Sequence, residues 1–295
     1  MTLSQFFRHV YLQRRYLGDG TTITYWCAIH RFQDWNKKPI LLSRLNADLV
    51  RSFLRDYRTK NSPVSVNQKR QTILTLWKYA HIWDFCATPP AADHEIPRLP
   101  TPKRIPRAWT VDQFSRILAA CCVARDIKHK GIVWDCRHWR ALWLVIYDTG
   151  ERIDALLHCR RSDIAHTGHL TIRGELRKGQ RRDIVRKLHA QTMEAIEQLP
   201  PNQLLFPWPL SRRAIWREVN PIIHAAGLPV DRRNKFHCAR RTSATQVAVS
   251  LGIAAACRHM DHSSMQLTLS AYVDPRMLPD NDVADVIQRP ASPPS

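Results

Sequence analysis

His237, Arg240, His262 and Tyr272 are the residues of this 295-residue chain whose types and spacing suit chemistry on a phosphodiester. His237 and Arg240 stand at H-x-x-R spacing, His262 follows in D-H-S-S, and Tyr272 closes T-L-S-A-Y ten positions later. A phosphoryl-transfer transition state spreads negative charge over its equatorial oxygens. The planar, permanently charged arginine fork matches those oxygens. Tyrosine can be the nucleophile and keep the bond as a covalent phosphoester. Its hydroxyl has an ordinary pKa of about 10, so it must be held beside cationic groups that stabilise the phenolate if it is to lose its proton. Singly, each residue is an ordinary packing or surface residue. The ordered set points to attack on phosphate without a metal.

These groups need elements to position them. After Arg240, the small and apolar residues Ala244, Val247, Ala248 and Leu251 recur at helical spacing, which predicts a helix with His237 and Arg240 near its start. Met265, Leu267, Leu269 and Ala271 predict a second, short helix carrying Tyr272. Upstream, in Y-D-T-G-E-R-I-D-A-L-L, Gly150 is expected to end one helix and Arg152 to open the next. Arg152 is flanked by Ile153, Leu156 and Leu157 and should be semi-buried; an ion pair with Asp154 is its alternative use. Residues 169–173 and 182–185 alternate as short strands around a turn holding Arg177, Lys178, Gly179, Gln180 and Arg181. A lysine at such a tip can reach into a groove or an active site.

The remaining chain reads as two domains, a linker and a tail. Residues 1–87 are expected to be all-helical. Ile23, Trp26, Cys27 and His30 share one face, and Asn46 caps a helix bearing Leu49, Phe53, Leu54 and Tyr57. After Pro63 a longer helix buries Ile73, Leu76, Trp77, Ala80 and Trp83 and offers Lys69, Arg70 and Lys78 outward. Residues 88–107 hold six prolines with Lys103, Arg104 and Arg107, an extended basic linker. Two domains joined in this way could close around a rod such as duplex DNA. Residues 108–274 form the second domain. It opens on the capping box Thr110–Gln113 and continues with helices at 134–147, 189–199 and 212–226, the last interrupted at Pro221. In residues 275–295, Val283, Val286 and Ile287 are expected to dock on a hydrophobic surface, in trans on a neighbouring subunit or alternatively on their own domain, ahead of a disordered Pro/Ser end.

Composition narrows the partner. Forty-five Lys and Arg stand against 25 Asp and Glu, a net charge of +20. A polyanion is the expected partner, and nucleic acid comes first. The charge is spread along the chain and not gathered into a tail, which argues against a membrane-surface protein. No apolar run has the length of a membrane span, and the arginine-interleaved N-terminus is unlike a signal peptide. Eight cysteines form no C-x-x-C pair and read as reduced, mostly buried thiols of a cytoplasmic protein, and a nucleic-acid partner would make it nucleoid-associated. Cys257, His259 and His262 are too sparse a set to hold a metal.

Taken together, these residues resemble the tyrosine recombinase (phage integrase) family over nearly the whole chain. T-G-E-R at 149–152 is similar to its T-G-x-R box, K-G-Q-R-R-D-I-V to its hairpin, H-C-A-R-R-T to H-x-L-R-H-T, and M-D-H-S-S to L-G-H-S-S. The resemblance implies a mainly α fold with a small β-hairpin: a helical core-binding domain plus an α+β catalytic domain. It implies that Arg152 and Arg240 hold the non-bridging oxygens and that Lys178 protonates the leaving 5′-oxygen. His237 and His262 would hydrogen-bond the phosphate, and Tyr272 would form a 3′-phosphotyrosyl link. The implied activity is site-specific recombination or integration with no metal, nucleotide or other cofactor. The implied partners are double-stranded DNA with specific recombination sites and a homo-tetramer on synapsed DNA, with no membrane. Lys69, Arg70, Lys103, Arg104, Arg107, Arg181 and Arg241 are the expected DNA contacts. Three positions depart from the pattern. Ala155 stands where an acid is usual, with Asp154 expected to point elsewhere on its helix; Asp261 replaces a glycine; Ala239 replaces a leucine. The first two could lower activity, but none of the three removes a catalytic group, so the active reading stands. The alternatives are a type IB-like topoisomerase using the same residues, and a DNA-binding member with degraded catalysis.

Overall fold

Capped, amphipathic stretches make helices the dominant element of both units into which the chain divides, Met1–Lys103 and Arg104–Ser295. A computed structural model describes residues 1–91, 93–177, 179, 182–231 and 234–278.

In the first unit, α1 (Leu3–Phe6) runs through a π-helical turn, Phe7–Tyr11, into α2 (Leu12–Arg14). Three longer helices follow: α3 (Asp19–Asn36), α4 (Ala47–Arg58) and α5 (Pro63–Ile82). Asn46 Oδ1 accepts from the Leu49 amide at 2.9 Å, and Ser62 caps α5 with Pro63 in its first turn. Phe6, Phe32, Phe53, Leu76 and Trp77 form the centre of its core. The proline-rich stretch carries no helix among the described residues, and much of it lies on this unit. Ile96 is buried in the same core, and Asn67 exchanges two hydrogen bonds with the Leu99 backbone, at 2.8 and 2.9 Å.

That return path corrects one expectation. Lys69 and Arg70 do not face solvent; each is 3% exposed. Arg70 bonds the Ile96 carbonyl and pairs with Asp93 at 2.6 Å, because the chain folds back over this part of α5. Lys69 Nζ reaches Cys27 Sγ of α3 at 3.2 Å.

The second unit opens on α6 (Val111–Ala120), whose T-x-x-Q capping box closes both ways, at 3.1 and 3.0 Å. A hairpin that was not expected follows, β1 (Ile127–His129) against β2 (Ile132–Trp134). Asp135 then caps α7 (Cys136–Thr149), which lies in the middle of the core with Trp139, Leu142, Trp143 and Ile146 fully buried. After the short α8 (Ile153–Leu156), β3 (His169–Ile172) and β4 (Ile184–Lys187) pair antiparallel, Ile172 opposite Ile184. Next come α9 (Ala190–Glu197), α10 (Arg212–Glu218) and α11 (Asn220–Ala225), the last two separated at the bend before Pro221. The unit is completed by α12 (Phe236–His259) and α13 (Met265–Ala271).

α12 packs along α7, with the Phe236 ring 4.8 Å from that of Trp143. It is not one straight helix. Gly252 sits at φ +83°, ψ 167°, a region essentially reserved for glycine, and divides it. All eight cysteines are free: Cys86, Cys121, Cys159 and Cys238 are buried, whereas Cys27 and Cys122 are exposed and the other two lie between, so burial is less general than expected. No helix of the described residues is long and apolar enough to cross a membrane. The tail from 279 onward, with its expected docking in trans, lies outside the described residues.

Candidate active site

Two turns meet to build the site. The first follows α7, where Gly150 at φ +60° caps the helix and its amide bonds the Ile146 carbonyl at 2.9 Å. A Cβ at this glycine would lie 2.9 Å from both His259 Nε2 and Met260 Sδ, so the T-G-E-R turn rests directly on the end of α12. The second turn joins α12 to α13. Asp261 holds φ +51° there, a conformation that aspartate tolerates better than most residues, and His262 follows.

Between these turns is a pocket of about 440 Å³ lined by Arg152, Arg182, Asp261, His262, Ser263, Leu267 and Tyr272. Tyr272 ends α13. Its amide bonds the Thr268 carbonyl at 2.9 Å, and the Thr245 hydroxyl of α12 donates to its carbonyl at 3.4 Å. Its ring lies 4.5 Å from that of His262, and the Arg240 guanidinium carbon sits 5.2 Å from its centre. Arg240 is 1% exposed and donates Nη1 to the Gly150 carbonyl, while its Nε and Nη2 have no hydrogen-bond partner among the described residues. His262 Nδ1 meets the Thr268 hydroxyl at 3.0 Å, and its Nε2 is also buried without a described partner. The Thr268 hydroxyl also reaches the Ser264 carbonyl at 3.3 Å; when it donates to Nδ1 instead, Nε2 carries the proton and becomes a donor. Buried donors of this kind cost free energy unless an acceptor meets them. A dianionic or monoanionic oxygen cluster supplies such acceptors.

The electrostatics agree with that use. Burial, then the neighbouring Arg240 and Arg152, push His262 down to about 4, so it is neutral at pH 7. Burial also disfavours the charge on Arg240, and Glu151 chiefly opposes that effect, with Tyr272 adding to it. Glu151 is a buried hub. Its Oε1 accepts from the Arg152 amide at 2.7 Å and faces Arg240 Nη1 at 3.4 Å, and its Oε2 accepts from Arg177 Nε at 2.8 Å. Burial works against its carboxylate, yet Arg240 and Arg177 hold it below the ordinary range. Arg177 continues to Asp261 Oδ2 at 2.8 Å, and Arg182 pairs with the other Asp261 oxygen. That pairing, Arg182 first, keeps Asp261 ionised. The charge on Asp261 is therefore neutralised by two arginines and does not stand open beside the pocket.

The structure brings Arg152, Arg240, His262 and Tyr272 together. His237 is exposed in the first turn of α12, its ring 6.5 Å from that of Trp216 and outside the pocket lining. Lys178 and Arg181 lie outside the described residues. Lys103, Arg104 and Arg107 are exposed. Arg241 is half-buried and donates Nε to the Ala271 carbonyl at 3.2 Å, which ties α12 to the end of the tyrosine helix. Ala155 is buried, and Asp154 points away to Arg212 as its helix position implied. The residues that sequence reasoning missed are Glu151 and Arg177. One clue was available: a carboxylate beside an arginine in an otherwise apolar turn.

No protein-family model matches the chain, and no curated protein sequence matches it. Solved structures do. A lambda integrase (75–356) dimer bound to a COC′ core site superposes with a TM-score of 0.71 at 19% identity, over 90% of this chain and 94% of that one. The chain has the tyrosine-recombinase fold. A lambda integrase tetramer bound to a Holliday junction matches at 0.68 and 17% identity, covering 90% of this chain and 75% of that one. The Tn1549 transposon integrase in complex with transposon right end DNA matches at 0.65 and 14% identity, covering 91% and 94%. The tyrosine-recombinase likeness thus exceeds the length of either unit and takes in both.

Proposed function

We propose that the protein is a site-specific DNA recombinase or integrase that cuts and rejoins duplex DNA through a 3′-phosphotyrosyl intermediate. The observation that supports this reading is the set of buried Arg240 and His262 nitrogens gathered around the Tyr272 ring. Arg152 and Arg240 grip the non-bridging oxygens of the scissile phosphate and stabilise the pentacoordinate state. Tyr272 attacks phosphorus. The bond to the 5′-oxygen breaks, and Lys178 protonates that oxygen as it leaves. His262 donates a hydrogen bond to the same phosphate from Nε2, and His237 approaches once DNA lies over the first turn of α12. The pairing of the Asp261 charge inside the protein supports the active reading over degraded catalysis. Subunits act as a tetramer on two sites, since one nucleophile per subunit makes one nick and exchanging two duplexes takes four.

A DNA substrate that traps the covalent intermediate tests this reading. The wild-type chain should form a protein–DNA adduct in excess EDTA, because arginines supply the charge. Tyr272→Phe should bind the same DNA and form none. Adduct formation by Tyr272→Phe, or a strict Mg²⁺ requirement for that step, would overturn the assignment. Strand exchange between two site-bearing duplexes then separates a recombinase from a topoisomerase built on the same residues.

A further inference from the structure

Arg182 lines the Tyr272 pocket together with Arg152 and His262. Its side chain is 75% exposed, and its Nη2 bonds Asp261 Oδ1. An ordinary exposed ion pair holds neither partner firmly. This one differs because Asp261 is itself fixed: its side chain is 6% exposed, and its other oxygen accepts from Arg177 Nη1 at 2.8 Å. The backbone beside Arg182 is fixed as well, since the Asp183 carboxylate accepts from the Gly174 amide at 2.8 Å. Arg182 is thus tethered to the turn before His262, while most of its surface stays open to a ligand.

Charge balance does not require this tether. If Arg182 is removed, Asp261 keeps Arg177. Asp261 holds φ +51° where the tyrosine-recombinase pattern has glycine, the residue best suited to such a backbone. What the aspartate adds is a carboxylate, and that carboxylate brings an arginine to the pocket wall. Arg152, Arg177, Arg182 and Arg240 stand against Glu151 and Asp261, so this cluster keeps an excess of positive charge for an anion.

We propose that Arg182, held in place by Asp261, contacts a non-bridging oxygen of the scissile phosphate and is a further catalytic arginine of this chain. The planar fork suits the task, because one nitrogen can stay on the carboxylate while another serves the phosphate. Asp261 is then a positioning residue that acts through Arg182. The proposal rests on the recombinase reading.

The test measures adduct formation by the full chain on two suicide duplexes. One has an ordinary scissile phosphodiester; the other has a methylphosphonate there, in which a methyl group replaces a non-bridging oxygen and removes its charge. Arg182→Ala should slow the ordinary substrate about 10²-fold, as loss of one oxyanion donor does, yet stay within about threefold of wild type on the methylphosphonate. Arg182→Lys keeps the charge without the fork and should lose about tenfold on the ordinary substrate. Asp261→Asn keeps a residue tolerant of positive φ; it should slow the wild-type background about tenfold and the Arg182→Ala background less than about twofold. If the wild-type chain leaves the methylphosphonate uncut, the comparison is made as affinity in the Tyr272→Phe background. There Arg182→Ala should weaken the ordinary duplex about tenfold and the methylphosphonate duplex less than about twofold. Equal losses on both substrates, or none on the ordinary one, would overturn the contact. An Asp261→Asn effect of the same size in both backgrounds would overturn the positioning role. A wild-type chain that forms no adduct on the ordinary substrate would instead bring down the recombinase reading, and this proposal with it.

Discussion

His262 and His259 each hold their neutral form where an exposed histidine would charge. Burial, then nearby arginines, push both down to about 4 from 6.5. Between those values the unfolded chain binds more protons than the folded one, so stability falls as pH drops from about 6.5 towards 4. The DNA-free protein should therefore lose denaturant resistance steadily between pH 7 and pH 5, and His262→Asn should flatten part of that slope. An unchanged slope in the variant would remove His262 from the account. At this scale the sequence singled out Arg152, Arg240, His262 and Tyr272 by type and local spacing, and the structure brings these four together. It did not carry Glu151, Arg177 or the true surroundings of Asp261. Their partners lie 26 and 84 positions apart, and no local pattern registers such pairs.

Elements were more legible than the joints between them. The T-x-x-Q box, the Asn46 cap and the glycine stop at 150 each announce a helix end by local chemistry. The β1–β2 hairpin was missed because its strands are three residues each, although Lys130 and Gly131 at φ +49° and +76° are the paired left-handed residues of a tight hairpin turn. The division of α12 was also missed, because helical spacing continues through Leu251 and beyond. Beyond Gly252, only Ala256 of the described α12 residues is fully buried, so the short arm leading to His262 and Tyr272 hangs on that joint. Alanine at 252 is strained by about 1–3 kcal/mol in the observed backbone and favours a continuous helix by about 1 kcal/mol over glycine. Gly252→Ala should keep or raise helicity by circular dichroism and lower adduct formation at least about tenfold. A fully active Gly252→Ala enzyme would show that the bend is incidental.

For the whole molecule, the formal charge of +20 overstates the basic surface, because Lys69, Arg70 and Arg177 are buried. Composition pointed to a polyanion but could not say which cations are exposed. Burial is set by how the chain returns on itself, as residues 93–99 do over α5. Exposed Lys103, Arg104 and Arg107 are the basic group to remove together. Their triple alanine variant should weaken binding to specific and unrelated duplexes alike and reduce the log–log salt slope by roughly two to three, about 0.9 for each lost phosphate contact. A loss confined to the specific site, or an unchanged slope, would place these side chains off the backbone path.

Gly150 makes room for His259 and Met260 by having no side chain of its own. The arginine turn and the histidine turn, more than a hundred positions apart in sequence, are thus neighbours through an omission. A lineage that drifts at one of them meets the other as its limit. The two turns can therefore change only as a matched pair.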